Sequence, residues 1–330
     1  MKTIFSLIFF LTWVGVNAQK SNTELVSNPV VAKGADPWIL KDENNFHYCY
    51  VRKDSIFLKT VQKISAIKST NERLLWAPPK DTNYSKEVWA PEIHKFNNRW
   101  YVYFAADDGK NENHRMHILT SENSDITSNF KYSGQISSKD NKWAIDGSPF
   151  FYNGKLYFVW SGWEGDINIK QNLYIAEMES PTRIKSERIL ISTPEFDWEK
   201  MGSDKHLPTI NEGPQIIQKN ENLFLVYSAG GSWSNYYCLG MLTLKGPNPL
   251  NASAWQKSPR PVFEGTDEVI SPGHCSFITI KNKEYIVYHT ARHKNAGWDR
   301  QVNIQEWKWE GKKPKLGKPI PYGQQFSIAY

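Results

Sequence analysis

A short sequence pattern occurs five times along this chain. Each copy has an apolar strand-like run, a turn that contains Asn, and a second apolar run. The clearest copy extends from Trp143 to Trp160, where Asn153-Gly154 separates the two runs. An Asn-Gly pair between such runs is a strong hairpin signal, because both central residues of the tight turn need positive φ. The pattern therefore predicts five β-hairpins.

The five copies recur with a nearly constant period. The prolines that precede their first strands are 54 to 65 residues apart, at Pro37, Pro91, Pro149, Pro214 and Pro272. Further strand-like runs lie between the copies at Met116 to Thr120, Leu173 to Met178, Leu239 to Leu244 and Gln301 to Trp307. Such a period, with several short strands in each unit, is typical of a propeller. The sequence therefore predicts an all-β fold, a five-bladed β-propeller, with an unrelated β-sandwich as the alternative.

The first eighteen residues have the pattern of a secretory signal. A lysine at position 2 precedes an apolar run from Ile4 to Val16, and small residues follow up to Ala18. This run is too short to span a bilayer, and no later apolar stretch reaches its length. We expect residues 1–18 to be a signal peptide and residues 19–330 to form a single propeller domain of a monomeric, secreted or periplasmic protein.

Composition excludes some classes of site. Cys49, Cys238 and Cys275 are far apart without a CxxC spacing, so no zinc site or disulfide framework is indicated, although one disulfide or buried free thiols both fit. The net charge of +6 is spread along the chain, which favours a solvated surface over a nucleic-acid site. Many of the 14 tryptophans lie beside polar loop residues, and such planar faces suit stacking on sugars.

The residues that open the five hairpins are the strongest functional signal. In a propeller the innermost strand of each blade lines the channel, so these residues meet at one end of the axis. Burying several polar groups together costs free energy unless each is satisfied, so such a cluster indicates function. Counting back from each turn gives Asp36, Trp89 or Ala90, Asp146, Glu212 and His274.

Three carboxylates near one axis suit the hydrolysis of glycosides. Two carboxyl groups are the minimum, one that protonates the leaving oxygen and one that acts on the nucleophile. A third carboxylate can raise the pKa of the acid, since a nearby like charge disfavours ionisation. Asp36, Asp146 and Glu212 supply this number.

Four motifs in order resemble glycoside hydrolase family 43, the five-bladed propeller glycosidases, over nearly all of the mature chain. These motifs are Ala35-Asp36-Pro37, Trp89-Ala90-Pro91-Glu92, Ile145-Asp146-Gly147-Ser148-Pro149 and Asn211-Glu212-Gly213-Pro214. Three further segments resemble the arabinofuranosidase-like branch of that family: Tyr103 to Gly109, His114-Arg115-Met116 and Gly297-Trp298-Asp299-Arg300.

The resemblance implies roles for the three carboxyl groups. Asp36 corresponds to the general base that activates water, Glu212 to the general acid, and Asp146 to the residue that orients the acid and raises its pKa. Family members invert the anomeric centre, which needs a carboxylate separation of roughly 6.5 to 9.5 Å. The implied substrates are arabinan or arabinoxylan and their fragments, from which terminal α-L-arabinofuranosyl units are released. The alternatives on the same fold are a β-xylosidase and an endo-arabinanase.

Other residues near the predicted site have less specific interpretations. Trp89 is either a wall for the bound sugar or a blade-packing residue, and Trp163 and Trp233 are candidates for leaving-group subsites. Arg300 is expected to hydrogen-bond the substrate or Glu212, the alternative being a surface ion pair with its neighbour in the chain.

His274 raises the question of a metal. A lone histidine is commonly a satisfied core residue, whereas in the family the matching position approaches a central ion, often calcium, or a water cluster. No cofactor is expected for the chemistry, and a structural calcium near His274 would need water as its other ligands, because one imidazole nitrogen binds calcium poorly. A non-catalytic sugar-binding propeller is a further alternative, although a neutral sugar gains little from clustered carboxylates.

Overall fold

The computed structural model describes residues 23–330, so the predicted signal peptide lies outside the described residues. Within residues 23–330, no helix is long and apolar enough to cross a membrane. Helical structure in this range is confined to short segments between strands, namely α1 (Asp197–Lys200) and the 3₁₀ turns Ile64–Lys68, Asn111–Asn113 and Ala252–Ala254.

Antiparallel strands form five blades around a central axis, as the sequence predicts. Blade 1 contains β2 (Trp38–Asp42), β3 (Asn45–Arg52), β4 (Ser55–Val61) and β5 (Arg73–Trp76), and blade 2 contains β6 (Lys86–Phe96), β7 (Arg99–Asp107), β8 (Arg115–Ser121) and β9 (Phe130–Ile136). Blade 3 contains β10 (Ala144–Tyr152), β11 (Lys155–Gly162), β12 (Lys170–Ser180), β13 (Arg183–Ile184) and β14 (Ile189–Ser192). Blade 4 contains β15 (Thr209–Lys219), β16 (Asn222–Ala229), β17 (Cys238–Leu244) and β18 (Trp255–Lys257), and blade 5 contains β19 (Ile270–Ile280), β20 (Lys283–Ala291), β21 (Arg300–Glu310) and β22 (Lys313–Lys315).

The five predicted hairpins are the two innermost strands of the five blades. In blade 3 the register pairs Tyr152 with Lys155 across the turn, and Asn153 has the positive φ that this turn requires. The further strand-like runs are the third strands, and their prediction is also confirmed. The sequence pattern does not identify the fourth strands, most of which are three or four residues long.

The core is divided among the junctions between blades. Five hydrophobic clusters occur, and each is formed by strands of two neighbouring blades, as where Tyr103 of blade 2 packs with Phe158 of blade 3. The three cysteines are buried in this apolar material as free thiols. Because the apolar side chains pack between neighbouring blades, polar side chains lie at the central axis.

The ring is closed by the segment that precedes blade 1. Residues 23–27 form β1 (Thr23–Ser27), which pairs with β23 (Gln325–Ala329). The buried Asn28 then bonds to the outer part of blade 5, since its amide donates to Ile304 O and its Oδ1 accepts from Ile304 N, both at 2.9 Å. Val31 bridges to Val302 on the same strand. This lead-in segment has no periodic signal in the sequence, yet it links the first and last blades.

Candidate active site

The innermost strand of each blade contains a left-handed residue where it begins at the axis. The register slips in blades 2 to 5 at this point, which is the pattern of a β-bulge. A bulge changes the direction of a side chain and costs backbone strain unless Gly occupies it, so five such positions in one region indicate function. The left-handed residues have φ between 40° and 55°, and they are Asp36, Ala90, Asp146, Gly213 and His274.

Asp36 is surrounded by cationic or imidazole groups from blade 5. Its Oδ1 lies 3.2 Å from His274 Nδ1, 3.3 Å from His289 Nδ1 and 3.7 Å from Arg300 Nη1. Burial alone would raise the pKa of Asp36, but the charge of His274, the hydrogen bond from His289 and the charge of Arg300 outweigh it, and the pKa falls below its ordinary range. The side chain remains 27% exposed, so Asp36 is an ionised carboxylate that water can reach.

Asp146 and Glu212 are more deeply buried than Asp36. The backbone N–H of Gly213 donates to Asp146 Oδ2 at 3.0 Å, which connects blade 3 to the residue that follows Glu212 in blade 4. Glu212 Oε1 accepts a hydrogen bond of 2.7 Å from the hydroxyl of Tyr237. Both carboxyl groups therefore lie in the interior of the polar axis and have fixed partners.

The buried pair shares one proton near neutral pH. Burial raises the pKa of Glu212 to about 7, against the opposing effects of Tyr237 and Arg300. Burial also raises the pKa of Asp146 to about 7, and the nearby charges of Glu212 and Asp36 contribute to this rise. Two neighbouring carboxyl groups in a region of low dielectric do not both ionise readily, so their titrations are coupled. The charge of His274 and the hydrogen bond from Gly213 favour the charged form of Asp146, whereas Tyr237 and Arg300 favour the charged form of Glu212.

Two residues of this site were missed from the sequence. His289 ends the second strand of blade 5, and its ring stacks on Tyr237 with centroids 5.5 Å apart. Burial and the charge of Arg300 lower the pKa of His289 to about 3, so the ring is neutral beside Asp36. His289 could have been found by applying the repeat to the paired strand, because it lies opposite Gly273. Tyr237 comes from a loop, and the repeat contains no signal for it.

Gly273 explains how Tyr237 reaches the axis. A Cβ atom on Gly273 would lie 2.1 Å from the ring of Tyr237, so any larger residue would displace the phenol from Glu212. The sequence motif around Pro272 therefore includes a glycine for a steric reason that only the fold reveals.

The remaining predicted residues differ in their exposure and in the groups that they contact. Trp89 is half-buried and stacks on the buried His114, with ring centroids 4.0 Å apart. Trp163 is only 3% exposed and stacks on Trp143 at 4.7 Å, so little of its indole is left for a sugar to contact. Trp233 is half-buried, and its Nε1 donates to Gly202 O at 2.7 Å.

The donor set around His274 does not fit a metal site built from protein ligands. Within the described range 23–330, no three His, Cys, Asp or Glu side chains are grouped so as to hold a metal ion. His274 Nδ1 faces Asp36, and its backbone N–H donates to Ser228 Oγ at 2.8 Å. The predicted calcium would have to bind one imidazole nitrogen and otherwise non-protein oxygens, so no step of the chemistry is assigned to it.

An ionised carboxylate beside carboxyl groups whose pKa values are raised to about 7 supplies the two kinds of reactive group that acetal hydrolysis requires. On a five-bladed propeller this combination defines a glycoside hydrolase. Residues 26–313 match the family described as glycosyl hydrolases family 43. The chain belongs to this family, and its substrate is accordingly a carbohydrate.

Individual relatives are similar over most of the chain. An extracellular exo-α-(1→5)-L-arabinofuranosidase of Streptomyces chartreusis is 31% identical over 82% of this chain and 84% of its own length. An α-L-arabinofuranosidase 43 of Humicola insolens is 29% identical over 90% of this chain, which spans 64% of that protein. The crystal structure of an α-L-arabinofuranosidase from Lactobacillus brevis superposes with a TM-score of 0.83 at 29% identity, covering 90% of this chain and 98% of that one.

Proposed function

We propose that this protein is an inverting, exo-acting α-L-arabinofuranosidase that releases terminal arabinofuranosyl units from arabinan or arabinoxylan fragments. The observation that carries the proposal is that Asp36 and Glu212, which interact electrostatically, have pKa values shifted in opposite directions, lowered for Asp36 and raised for Glu212. The sugar specificity is supported by relatives of about 30% identity that are named arabinofuranosidases.

In this proposal Asp36 is the general base. Its pKa is lowered, so the carboxylate is ionised near neutral pH, and its partial exposure gives it access to a water molecule. His274 and Arg300 lie beside Oδ1, and the backbone N–H of Asp36 donates to His289 Nδ1 at 3.1 Å, so the carboxylate is held in place. An oriented carboxylate of this kind can accept a proton from water as that water attacks the anomeric carbon.

Glu212 is the proposed general acid, and Asp146 the residue that keeps it protonated. Glu212 donates its proton to the glycosidic oxygen as the bond to the anomeric carbon breaks, so the sugar leaves with inverted configuration and the aglycone leaves as an alcohol. Asp146 accepts from Gly213 N–H and carries the negative charge of the pair, which opposes ionisation of Glu212.

Arg300 and Trp89 are proposed to bind the sugar itself. Arg300 is anchored by donation from its Nη2 to Ser232 O at 2.6 Å, while Nη1 faces Asp36 and has donor capacity left for a sugar hydroxyl. Trp89 presents one indole face to the cavity side, since the other is covered by His114.

A panel of four substrates tests the proposal. We expect the purified protein to hydrolyse an aryl α-L-arabinofuranoside and to release arabinose from linear arabinan and arabinoxylan. An aryl β-D-xyloside should be hydrolysed at least about a hundredfold more slowly, because the wrong sugar leaves hydrogen-bonding groups of the site unpaired. Preferred cleavage of the xyloside would identify a β-xylosidase instead, and no cleavage in any arm would favour a non-catalytic sugar-binding protein.

The time course on linear arabinan separates exo from endo action. Arabinose as the first product, with no intermediate oligosaccharides, is expected of an exo-acting enzyme. A ladder of oligosaccharides at early times would identify an endo-arabinanase.

Secretion and assembly are also proposals. The apolar run before Ala18 and the extracellular relatives support a cleaved signal peptide, a secreted or periplasmic location and a mature domain over residues 19–330. We propose that the mature protein is a monomer. Amino-terminal sequencing of the exported protein, expected to begin at residue 19, and light scattering of the same sample test these statements.

A further inference from the structure

Two loops of neighbouring blades are joined at the edge of the candidate active site. The loop of residues 230–237 follows β16 in blade 4, and the loop of residues 292–299 follows β20 in blade 5. Asn235 Nδ2 donates to Asn295 Oδ1 at 2.6 Å, and Asn295 N donates to Asn235 Oδ1 at 2.8 Å. Arg292 also pairs with Asp299 within the second loop, at 3.1 Å. These contacts hold the two loops as one wall.

Trp298 projects from this wall into solvent. Its side chain is 68% exposed, which is unusual for the largest apolar side chain, and its Nε1 lies 3.5 Å from Ser232 Oγ. The carbonyl of the same Ser232 accepts the bond from Arg300, whose other nitrogen faces Asp36. Trp298 is therefore separated from the proposed base by one serine and one arginine, at the rim of the cavity.

The surroundings of Trp298 suit a sugar better than a protein partner. An exposed aromatic face next to a polar rim is typical of a ligand-binding surface. The two loops also contain Ser232, Ser234, Asn235, Asn295 and Asp299, whose side chains offer hydrogen bonds. A sugar ring presents C–H groups on its face and hydroxyl groups at its edge, so it matches an indole plane bordered by polar side chains. The fixed loops also reduce the entropy that would be lost on binding.

We infer that Trp298 is the stacking surface for the leaving-group sugar, the residue of the substrate on the far side of the cleaved bond. This inference rests on the proposed function and adds a specificity-determining residue to it. It also reassigns the subsite predicted for Trp163 and Trp233, of which the first is buried and the second is fixed by its bond to Gly202.

The test compares two substrates that differ only beyond the cleaved bond. They are the methyl glycoside and the trisaccharide of whichever sugar the wild type hydrolyses in the panel above. Covering about 50 Å² of apolar surface corresponds to about a tenfold change in affinity. We expect Trp298→Ala to raise KM for the trisaccharide about tenfold with little change in kcat, and to leave kcat/KM for the methyl glycoside unchanged. Trp298→Phe should restore most of the affinity.

Phe151→Ala is the matched control, because Phe151 is 53% exposed but lies at the opposite end of the inner hairpin of blade 3. It should leave both substrates unaffected, and the unfolding midpoint of Trp298→Ala should equal that of the wild type. Equal losses on both substrates, or no loss on the trisaccharide, would overturn the inference.

A wild type that cleaves only xylosides refutes the proposed sugar but not the role of Trp298, since the substrate pair changes with it. If no glycoside is cleaved, a tenfold loss of binding to arabinotriose or xylotriose in calorimetry is the supporting result, and equal binding is the contrary one.

Discussion

The roles proposed for Asp146 and Glu212 depend on which of them carries the shared proton. Burial raises the pKa of each carboxyl group to about 7, so neither is an acid or a base by composition alone. Their partners differ in kind, since Asp146 accepts from a backbone N–H, which can only donate, and Glu212 from a phenol hydroxyl, which can also accept a hydrogen bond. This difference favours a charged Asp146 and a protonated Glu212.

Replacement of Glu212 tests its role as the acid. Glu212→Gln should lower kcat/KM for an arabino-oligosaccharide by about 10³, the usual contribution of a general acid. The loss should be much smaller for a dinitrophenyl arabinofuranoside, because that leaving group departs without protonation. Glu221→Gln, in the exposed turn of the same hairpin, is the control and should resemble the wild type. Equal losses on both substrates would exclude the acid role.

Substitutions of two neighbours of Glu212, Asp146 and Tyr237, should shift the pH profile of kcat/KM in opposite directions. Because burial raises the pKa of Glu212 to about 7, activity should fall above pH 7 as this group loses its proton, while the lowered pKa of Asp36 places the acid limb well below pH 4. Asp146→Asn removes a like charge and should shift the alkaline limb to lower pH. Tyr237→Phe removes a donor to the charged form and should shift it to higher pH.

Shifts of the same sign in the two variants, or an alkaline limb that neither variant moves, would contradict the proposed arrangement. The acid limb should be unchanged in both variants, because the side chains that contact the carboxylate of Asp36 are those of His274, His289 and Arg300.

Position in the repeat is sufficient to predict which inner-strand residues meet at the axis. Asp36 and Asp146 occupy the left-handed position of their blades, and His274 does so in blade 5. Glu212 lies one residue earlier than these, because Gly213 takes the left-handed position in blade 4. The sequence count could not distinguish the two, since a bulge shifts the register by one residue. Tyr237 could not be predicted, because which of the 16 tyrosines reaches the axis depends on the path of a loop.

At the level of the strand, Gly213 occupies the bulge of blade 4. It follows Glu212 in the chain, and its backbone N–H donates to Asp146. It has a φ of 55°, and a Cβ atom there would lie 3.2 Å from the ring of His274. Gly213→Ala should cost about 1 kcal/mol of unfolding free energy through its backbone conformation. It should also reduce kcat, because the methyl group displaces His274 and the adjacent Glu212.

Gly154→Ala is the matched control for this variant. Gly154 also has positive φ, but a Cβ atom there meets nothing within 4 Å, and the turn lies at the far end of blade 3. Urea unfolding should show a similar loss of stability in both variants, whereas steady-state kinetics should show a lower kcat for Gly213→Ala alone. A normal kcat in Gly213→Ala would mean that the bulge does not position the site.

The elements differ in how well the sequence predicts them. The inner hairpins have apolar runs on either side of Asn-containing turns, so their existence follows from local patterns. Apart from β9, the fourth strands are three or four residues long, as in β18 and β22, and such short runs carry no distinctive period. The lead-in before blade 1 is similar, because its pairing with β23 involves residues about 300 positions away and no local signal.

For the whole molecule, the closure of the ring is the feature on which the axis depends. Asn28→Ala would remove two buried hydrogen bonds to Ile304 and leave its backbone groups without partners, at a cost of about 2–4 kcal/mol. We expect the midpoint of thermal unfolding to fall by about 5 °C or more in differential scanning calorimetry. Asn129→Ala, on an exposed loop of blade 2, should leave the midpoint unchanged. An unchanged midpoint in Asn28→Ala would show that β1 and β23 alone close the ring.

The propeller accounts for the proposed mechanism as a whole. It brings Asp36 from blade 1, Asp146 from blade 3 and Glu212 from blade 4 to one axis, and blade 5 supplies the groups that keep Asp36 ionised. Opposite protonation states on two such carboxyl groups supply the base and the acid that the proposed displacement by water requires.

The configuration of the first product tests this account most directly. Proton NMR of an α-L-arabinofuranoside, recorded within the first turnovers and before mutarotation, should show the β anomer of arabinose appearing first. Appearance of the α anomer first would mean that the configuration is retained, and it would contradict both the inverting mechanism and the role of Asp36 as the base that activates water.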